Sequence, residues 1–212
     1  MDRRHFLRTA GLSGAGIALS PLTAITLDHD WYSNSRLGIR LRRPKGWHFV
    51  AVTDFERRID EQMKRIEDRE RLQQLWGSPD QPILVISKYQ TPIEGACPTI
   101  QVYAESLHYA TRDALRDLRF YEWRLRSYHR DYEIEREPAL TKIGGIEGAT
   151  LTYRFTLAEV GRRRYAFRAW DGLVRADNAE FSITMAGATE GIDASDEDFQ
   201  AVRESIDFFE IA

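Results

Sequence analysis

Cysteine is nearly absent from this chain: Cys97 stands alone among 212 residues. One thiol cannot close a disulfide within the chain, so the stapled scaffolds of small secreted domains are excluded and stability must come from packing. A reactive cysteine needs neighbouring cations or a helix N-terminus. In Glu94-Gly95-Ala96-Cys97-Pro98 the nearby charge is acidic, so Cys97 reads as a small hydrophobe and not as a nucleophile. Metal-ligand spacing is missing as well. His29, His48, His108 and His129 show neither His-x-x-x-His nor Cys-His spacing, and Asp28-His29-Asp30 reads as an exposed N-terminal segment. There is no Gly-x-Ser-x-Gly elbow, and Gly14-Ala15-Gly16 lacks the Gly-Lys-Ser/Thr ending of a phosphate loop. The expectation is a protein without cofactor, metal or catalytic residues.

Excess charge of one sign is also missing. A formal charge of −3 gives no general affinity for nucleic acid or for an anionic membrane. Apolar and charged fractions of 42% and 30% are those of a folded globular chain, not of a disordered one.

What is present begins at the N-terminus. Arg3 and Arg4 are followed by Phe6-Leu7-Arg8 and a mildly apolar run, Ala10 to Leu22, diluted by Gly11, Gly14 and Gly16. That run is shorter than the ~20 apolar residues that cross a bilayer. The order resembles a bacterial twin-arginine (Tat) export signal, with Asp2 where Ser or Thr is usual and Arg8 where Lys is usual. The resemblance implies that Arg3, Arg4, Phe6 and Leu7 are read by the Tat translocase, with delivery to the periplasm or the exterior. Leu22-Thr23-Ala24 offers a small residue for cleavage. The expected organisation is a signal peptide over 1–24 and a single globular α/β domain over 25–212, without a transmembrane span. Residues 1–24 carry three arginines and one aspartate, so without them the formal charge moves from −3 to −5.

Along the remainder, Leu37 to Arg43 alternates apolar and basic residues as a half-buried strand does, and Pro44-Lys45-Gly46-Trp47 ends it. His48 to Val52 reads as a second short extended piece. Thr53 with Glu56 forms a capping-box pattern ahead of a long charged helix, which Gly77-Ser78-Pro79-Asp80 stops. Pro82 to Tyr89 is a continuous apolar run, the pattern of a strand buried on both faces, and Pro98 to Tyr103 is another strand. A helix from about Thr111 to Tyr128 buries Ala114, Leu118, Tyr121 and Leu125. Ala149, Leu151, Tyr153, Phe155 and Leu157 alternate with polar residues, and after Val160-Gly161 so do Tyr165, Phe167 and Ala169. Asp171-Gly172 carries a two-residue hairpin signal, after which Phe181, Ile183 and Met185 form a further strand. Ser195 caps a last helix with Asp196, Glu197 and Asp198 in its first turn. Phe199, Val202 and Ile206 point inward, and Phe208-Phe209 closes the core.

Trp31-Tyr32…Gly38-Ile39-Arg40-Leu41…Pro44-Lys45-Gly46-Trp47, together with Phe199…Val202…Ser205-Ile206-Asp207-Phe208 at the other end, resembles the PsbP/Mog1-like superfamily. The resemblance implies an α+β fold: an α/β/α sandwich with a central, mostly antiparallel sheet. It implies no activity, because folds host many functions; the theme of such proteins is binding another protein.

Strand alternation places Arg154, Arg164 and Arg168 on one polar face, with Trp170 beside them. Arginine with tryptophan is the usual makeup of a binding hot spot, and guanidinium forks suit carboxylate or phosphate. The alternative is that acids from a covering helix neutralise them. The functional expectation is an exported, non-catalytic accessory or adaptor protein that binds an envelope protein. A periplasmic carrier of a small apolar or anionic ligand and an unrecognised hydrolase are the alternatives.

Overall fold

The structure is a computed structural model that describes residues 25–63, 81–90, 97–107, 113–158, 164–176, 179–189 and 195–210. The export signal, the expected helix beyond Met63 with its stop, and the Val160-Gly161 turn lie outside the described residues.

Among the described residues, two antiparallel sheets and three helices make up a mixed α+β fold. The small sheet has the order β1 (Ile25–Asp28), β2 (Trp31–Asn34), β3 (Ile39–Arg42) and β11 (Asp207–Phe208). The large sheet has seven strands. They run in the order β4 (His48–Phe49), β5 (Leu84–Ser87), β6 (Thr99–Ser106), β10 (Ala179–Ala188), β9 (Arg164–Ala176), β8 (Ile146–Ala158) and β7 (Arg130–Ile143). The helices are α1 (Val52–Met63), α2 (Ala114–Tyr128) and α3 (Asp196–Ser205).

Because successive side chains of a strand point to opposite faces, the large sheet buries two separate sets of residues. One face packs Ile86, Ile100, Val102, Val174, Phe181, Ile183 and Met185 against Tyr32, Ile39 and Leu41 of the small sheet and Phe199 and Val202 of α3. The other face packs Ala149, Leu151, Tyr153, Phe155 and Ala169 against Leu118 and Leu125 of α2. The result is the expected α/β/α sandwich, with a small sheet added to the α3 layer. The Trp47 indole fastens that layer by donating to Asp198 Oδ2 at 3.0 Å and meeting Phe199 edge-on at 5.8 Å. All four residues of β5 are buried, as its continuous apolar run requires.

Three local expectations are corrected. Asp171-Gly172 is not a turn: both residues lie inside β9, facing Leu151 and Thr150 of β8 and Thr184 and Ile183 of β10. Pairing along both edges of the strand outweighs the two-residue turn preference. Glycine is required here for space, since a Cβ at 172 would overlap the Trp170 ring and sit 3.0 Å from Ile143 Cδ1. Thr53 does not cap α1. The Ala51 carbonyl already accepts the Phe55 N–H at 3.0 Å, so the helix starts before Thr53. Ser195 does occupy the N-cap position of α3, but its side chain makes no capping bond and its hydroxyl instead lies 3.4 Å from Lys88 Nζ.

Two features go beyond the sequence expectations. Trp31 to Asn34 form a strand, β2, that carries Tyr32 into the core. The whole of β7 is added, turning into β8 through Gly144 and Gly145 at φ of 56° and 84°. Two consecutive left-handed residues are what a tight hairpin between twisted strands demands.

Candidate functional site

The sheet edge formed by β7, β8 and β9 carries the expected arginines. Arg154 and Arg168 are direct cross-strand partners, so two like charges face each other. Glu135 resolves the conflict. It belongs to an irregular stretch of β7, where the register shifts between Ile134 and Arg136, and the bulge turns its carboxylate toward both guanidiniums. Glu135 pairs with Arg154 Nε through Oε1, and its Oε2 lies 2.7 Å from Arg168 Nε. Arg168 also pairs with Asp196, in the first turn of α3. The hydrogen bond that Arg168 donates to Glu135 leads the causes that raise the Arg168 pKa above its ordinary value. Two cations and two anions thus form one network tying β7, β8, β9 and α3 together.

The other two expected residues lie apart from that network. Arg164 stands at the start of β9, exposed and 4.0 Å from Asp131. Trp170 packs against the larger core, and the Arg203 guanidinium lies over its ring at 5.5 Å. Burial, and next the nearby charge of Arg136, lower the Arg203 pKa. The sequence expectation omits both Arg203 and Arg136. Arg203 sits among the charged residues of α3 with nothing local to single it out, and only the fold brings it to Trp170.

A second polar cluster lies under α2. Asp171 is 2% exposed and accepts from Thr184 Oγ1 at 2.6 Å, with the Tyr153 hydroxyl as a further hydrogen-bond partner. Burial outweighs these bonds and raises its pKa from 3.8 to about 6. Burial followed by the Asp171 charge pushes Tyr121 and Tyr153 upward, so both phenols stay neutral. A carboxyl with a pKa near 6 suits proton transfer, but a site also needs an opening. The cleft of about 420 Å³ beside the start of α2 is open to solvent and lined by Asp113, Ala114, Leu140, Glu147, Gly148 and Arg175, without Asp171 or its tyrosines. Among the described residues, no group of three His, Cys, Asp or Glu side chains is placed to hold a metal ion. Cys97 is half-buried, its sulfur 3.3 Å from Ser87 Oγ.

The third feature is the outer face of α2. Asp113 caps the helix by accepting the Arg116 N–H at 3.0 Å, and Arg175 reaches Asp117 in the first turn at 2.9 Å. With Leu118 and Leu125 turned inward, Phe120 and Trp123 face solvent at 56% and 61% exposure. Their rings stack on each other at 5.8 Å. Arg116, Arg119 and Arg126 surround them. Arg126 pairs with Glu122 at 3.0 Å, whereas among the described residues the side chains of Arg116 and Arg119 form no ion pair. No helix among the described residues is long and apolar enough to cross a membrane.

No protein-family model and no curated protein matches the sequence. Solved structures do match. The solution structure of cyanobacterial PsbP (CyanoP) from Synechocystis sp. PCC 6803 superposes with a TM-score of 0.51 at 15% identity, over 94% of this chain and 99% of that one. LpqN, described as involved in cell envelope biogenesis of Mycobacterium tuberculosis, gives 0.46 at 13% identity over 81% of this chain and 83% of its own. A Bacteroides thetaiotaomicron protein gives 0.43 at 10% identity over 82% of this chain, which spans 46% of that protein's length. The likeness to CyanoP shows a PsbP-like fold, and at this identity it shows the fold alone.

Proposed function

We propose that this chain is an exported, non-catalytic binding protein that serves as an accessory or adaptor subunit in the cell envelope through protein–protein contacts. The twin-arginine pattern of Arg3, Arg4, Phe6 and Leu7 supports export, and the Tat translocase is the partner during that step. The observation that carries the binding reading is the stacked Phe120–Trp123 pair, held out of the core on a helix whose other side is packed against the sheet. Exposed aromatics with arginines around them have the composition of an interface hot spot. The expected patch of Arg154, Arg164, Arg168 and Trp170 is a weaker candidate for contact, because Glu135 and Asp196 already engage Arg154 and Arg168 and Trp170 packs against the core.

The test is affinity purification of the tagged protein from its own envelope fraction, followed by native mass spectrometry. Phe120→Ser/Trp123→Ser serves as the matched control. A protein that co-purifies with the native chain and is lost from the control is the expected result. A mass excess of a few hundred daltons on an otherwise lone chain would point to the carrier reading instead. A bare chain, from wild type and control alike, would sink the adaptor reading.

A further inference from the structure

We infer that the outer face of α2 receives an acidic segment of the partner protein, with its carboxylates over the first half of the helix and an apolar side chain over Trp123. The inference rests on the adaptor reading and specifies the chemistry of its partner.

Three observations fix this arrangement. Arg116, Phe120 and Trp123, with Arg119 and Arg126 beside them, recur at three- and four-residue spacing on one side of α2. They form a stripe about 15 Å long, from ten steps of about 1.5 Å rise. Along that stripe the charge is uneven. Near the N-terminal end, Arg116 and Arg119 have no ion-pair partner among the described residues, whereas Glu122 engages Arg126 near the other end. The Asp113 and Asp117 carboxylates already meet the helix dipole at that end, so the attraction there is left to the two arginines. Apolar surface accompanies the cations there, because Leu140, 56% exposed, lines the cleft next to Asp113 and Ala114. An acidic segment carrying apolar side chains meets all of these features.

An anionic bilayer would be drawn to the same arginines. The rest of the protein opposes it, since the formal charge is −5 once residues 1–24 are left out. A flat charged surface feels that net charge. A segment docked on one helix feels chiefly the groups within a Debye length of about 8 Å. The stripe is also short, and each basic residue adds only about 1 kcal/mol toward an anionic lipid surface.

The experiment is selection of displayed random 12-residue peptides on the full chain, with each enriched peptide then titrated by fluorescence anisotropy. The expected peptides carry at least two Asp or Glu with an aromatic or aliphatic residue. Their affinity should fall about tenfold or more on Arg116→Glu/Arg119→Glu and on Phe120→Ser/Trp123→Ser, both at solvent-facing positions. It should also weaken as salt rises from about 50 to 300 mM. Peptides without acidic residues, acidic peptides indifferent to both variants, or an empty selection overturn the assignment. Co-sedimentation with vesicles of phosphatidylglycerol and phosphatidylcholine, lost in the arginine variant, overturns it in favour of lipid. The envelope purification is separate: a partner recovered through α2 but presenting a neutral or basic surface removes the acidic assignment and leaves the adaptor reading standing.

Discussion

Thr184 donates its hydroxyl proton to Asp171 Oδ1 at 2.6 Å, between residues that stand directly opposite on β10 and β9. The bond favours the ionised carboxylate but does not offset the cost of enclosing it beneath α2, and the pKa rises from 3.8 to about 6.

That shift makes stability fall as pH rises. A carboxyl whose folded pKa lies above its unfolded value binds its proton more tightly in the native state. Stability is therefore lost between about pH 4 and pH 6, and the full cost persists above that range. Asp171→Asn keeps a carbonyl for Thr184 and removes the charge. The substitution should stabilise the protein at pH 7.5 by on the order of 1–3 kcal/mol, with the gain shrinking toward pH 4. Denaturant melts at pH 4.5 and 7.5 decide the matter. A gain independent of pH, or a loss at pH 7.5, would show that the buried charge is not what limits stability.

Glu135 is the single acid between two arginines that pair across β8 and β9. Glu135→Gln should cost about 1–2 kcal/mol, because it removes the charge shared by both arginines and leaves Asp196 alone to offset Arg154 opposite Arg168. Adding Arg154→Met to that background should recover part of the loss, since one of the two repelling charges is then gone. Chemical denaturation of the two singles and the double gives the coupling. Additive effects would mean that Glu135 acts on each arginine separately and does not mediate their repulsion.

Such relationships mark the boundary of what was readable beforehand. The apolar run ending in β5 and the alternation from Ala149 to Phe155 revealed buried strands, because burial on two faces or on one leaves a local pattern. Asp171-Gly172 misled, because a two-residue window cannot register that strands pair along both sides of those residues. The bulges of β7 break the alternation that would have exposed it, although Gly144-Gly145 was a usable hairpin signal. The α2 face was also partly readable. Helical spacing marks Leu118, Tyr121 and Leu125 as its inner stripe, and Phe120 and Trp123 are the aromatic residues that fall off it. Arg203 over Trp170 had no local trace, since 33 positions separate them in the chain.

Gly172 should tolerate no side chain. A Cβ there would meet the Trp170 ring and Ile143 Cδ1 in a packed region, so Gly172→Ala should cost about 1–3 kcal/mol through forced displacement of the indole. Trp170→Leu in the same chain makes room, and the double variant should lose less than the sum of the singles. Thermal melts of the set measure this. A harmless Gly172→Ala would mean that the indole shifts freely and that its seat under Arg203 is loose.

The export prediction rests on the chain's first residues, and it separates the twin-arginine reading from that of an ordinary amphipathic helix. Arg3→Lys/Arg4→Lys keeps the charge and helix propensity almost unchanged, so an amphipathic helix would scarcely register it. A receptor that reads paired guanidiniums does register it, because a lysine ammonium offers no planar fork. The double variant should accumulate inside the cell as folded protein with residues 1–24 still attached, whereas the native sequence reaches the envelope. Fractionation with immunoblotting gives the answer, and a strain lacking the Tat translocase should reproduce the variant. Equal envelope levels of both sequences would show that delivery does not depend on the arginine pair, and the envelope would lose its place in the functional proposal.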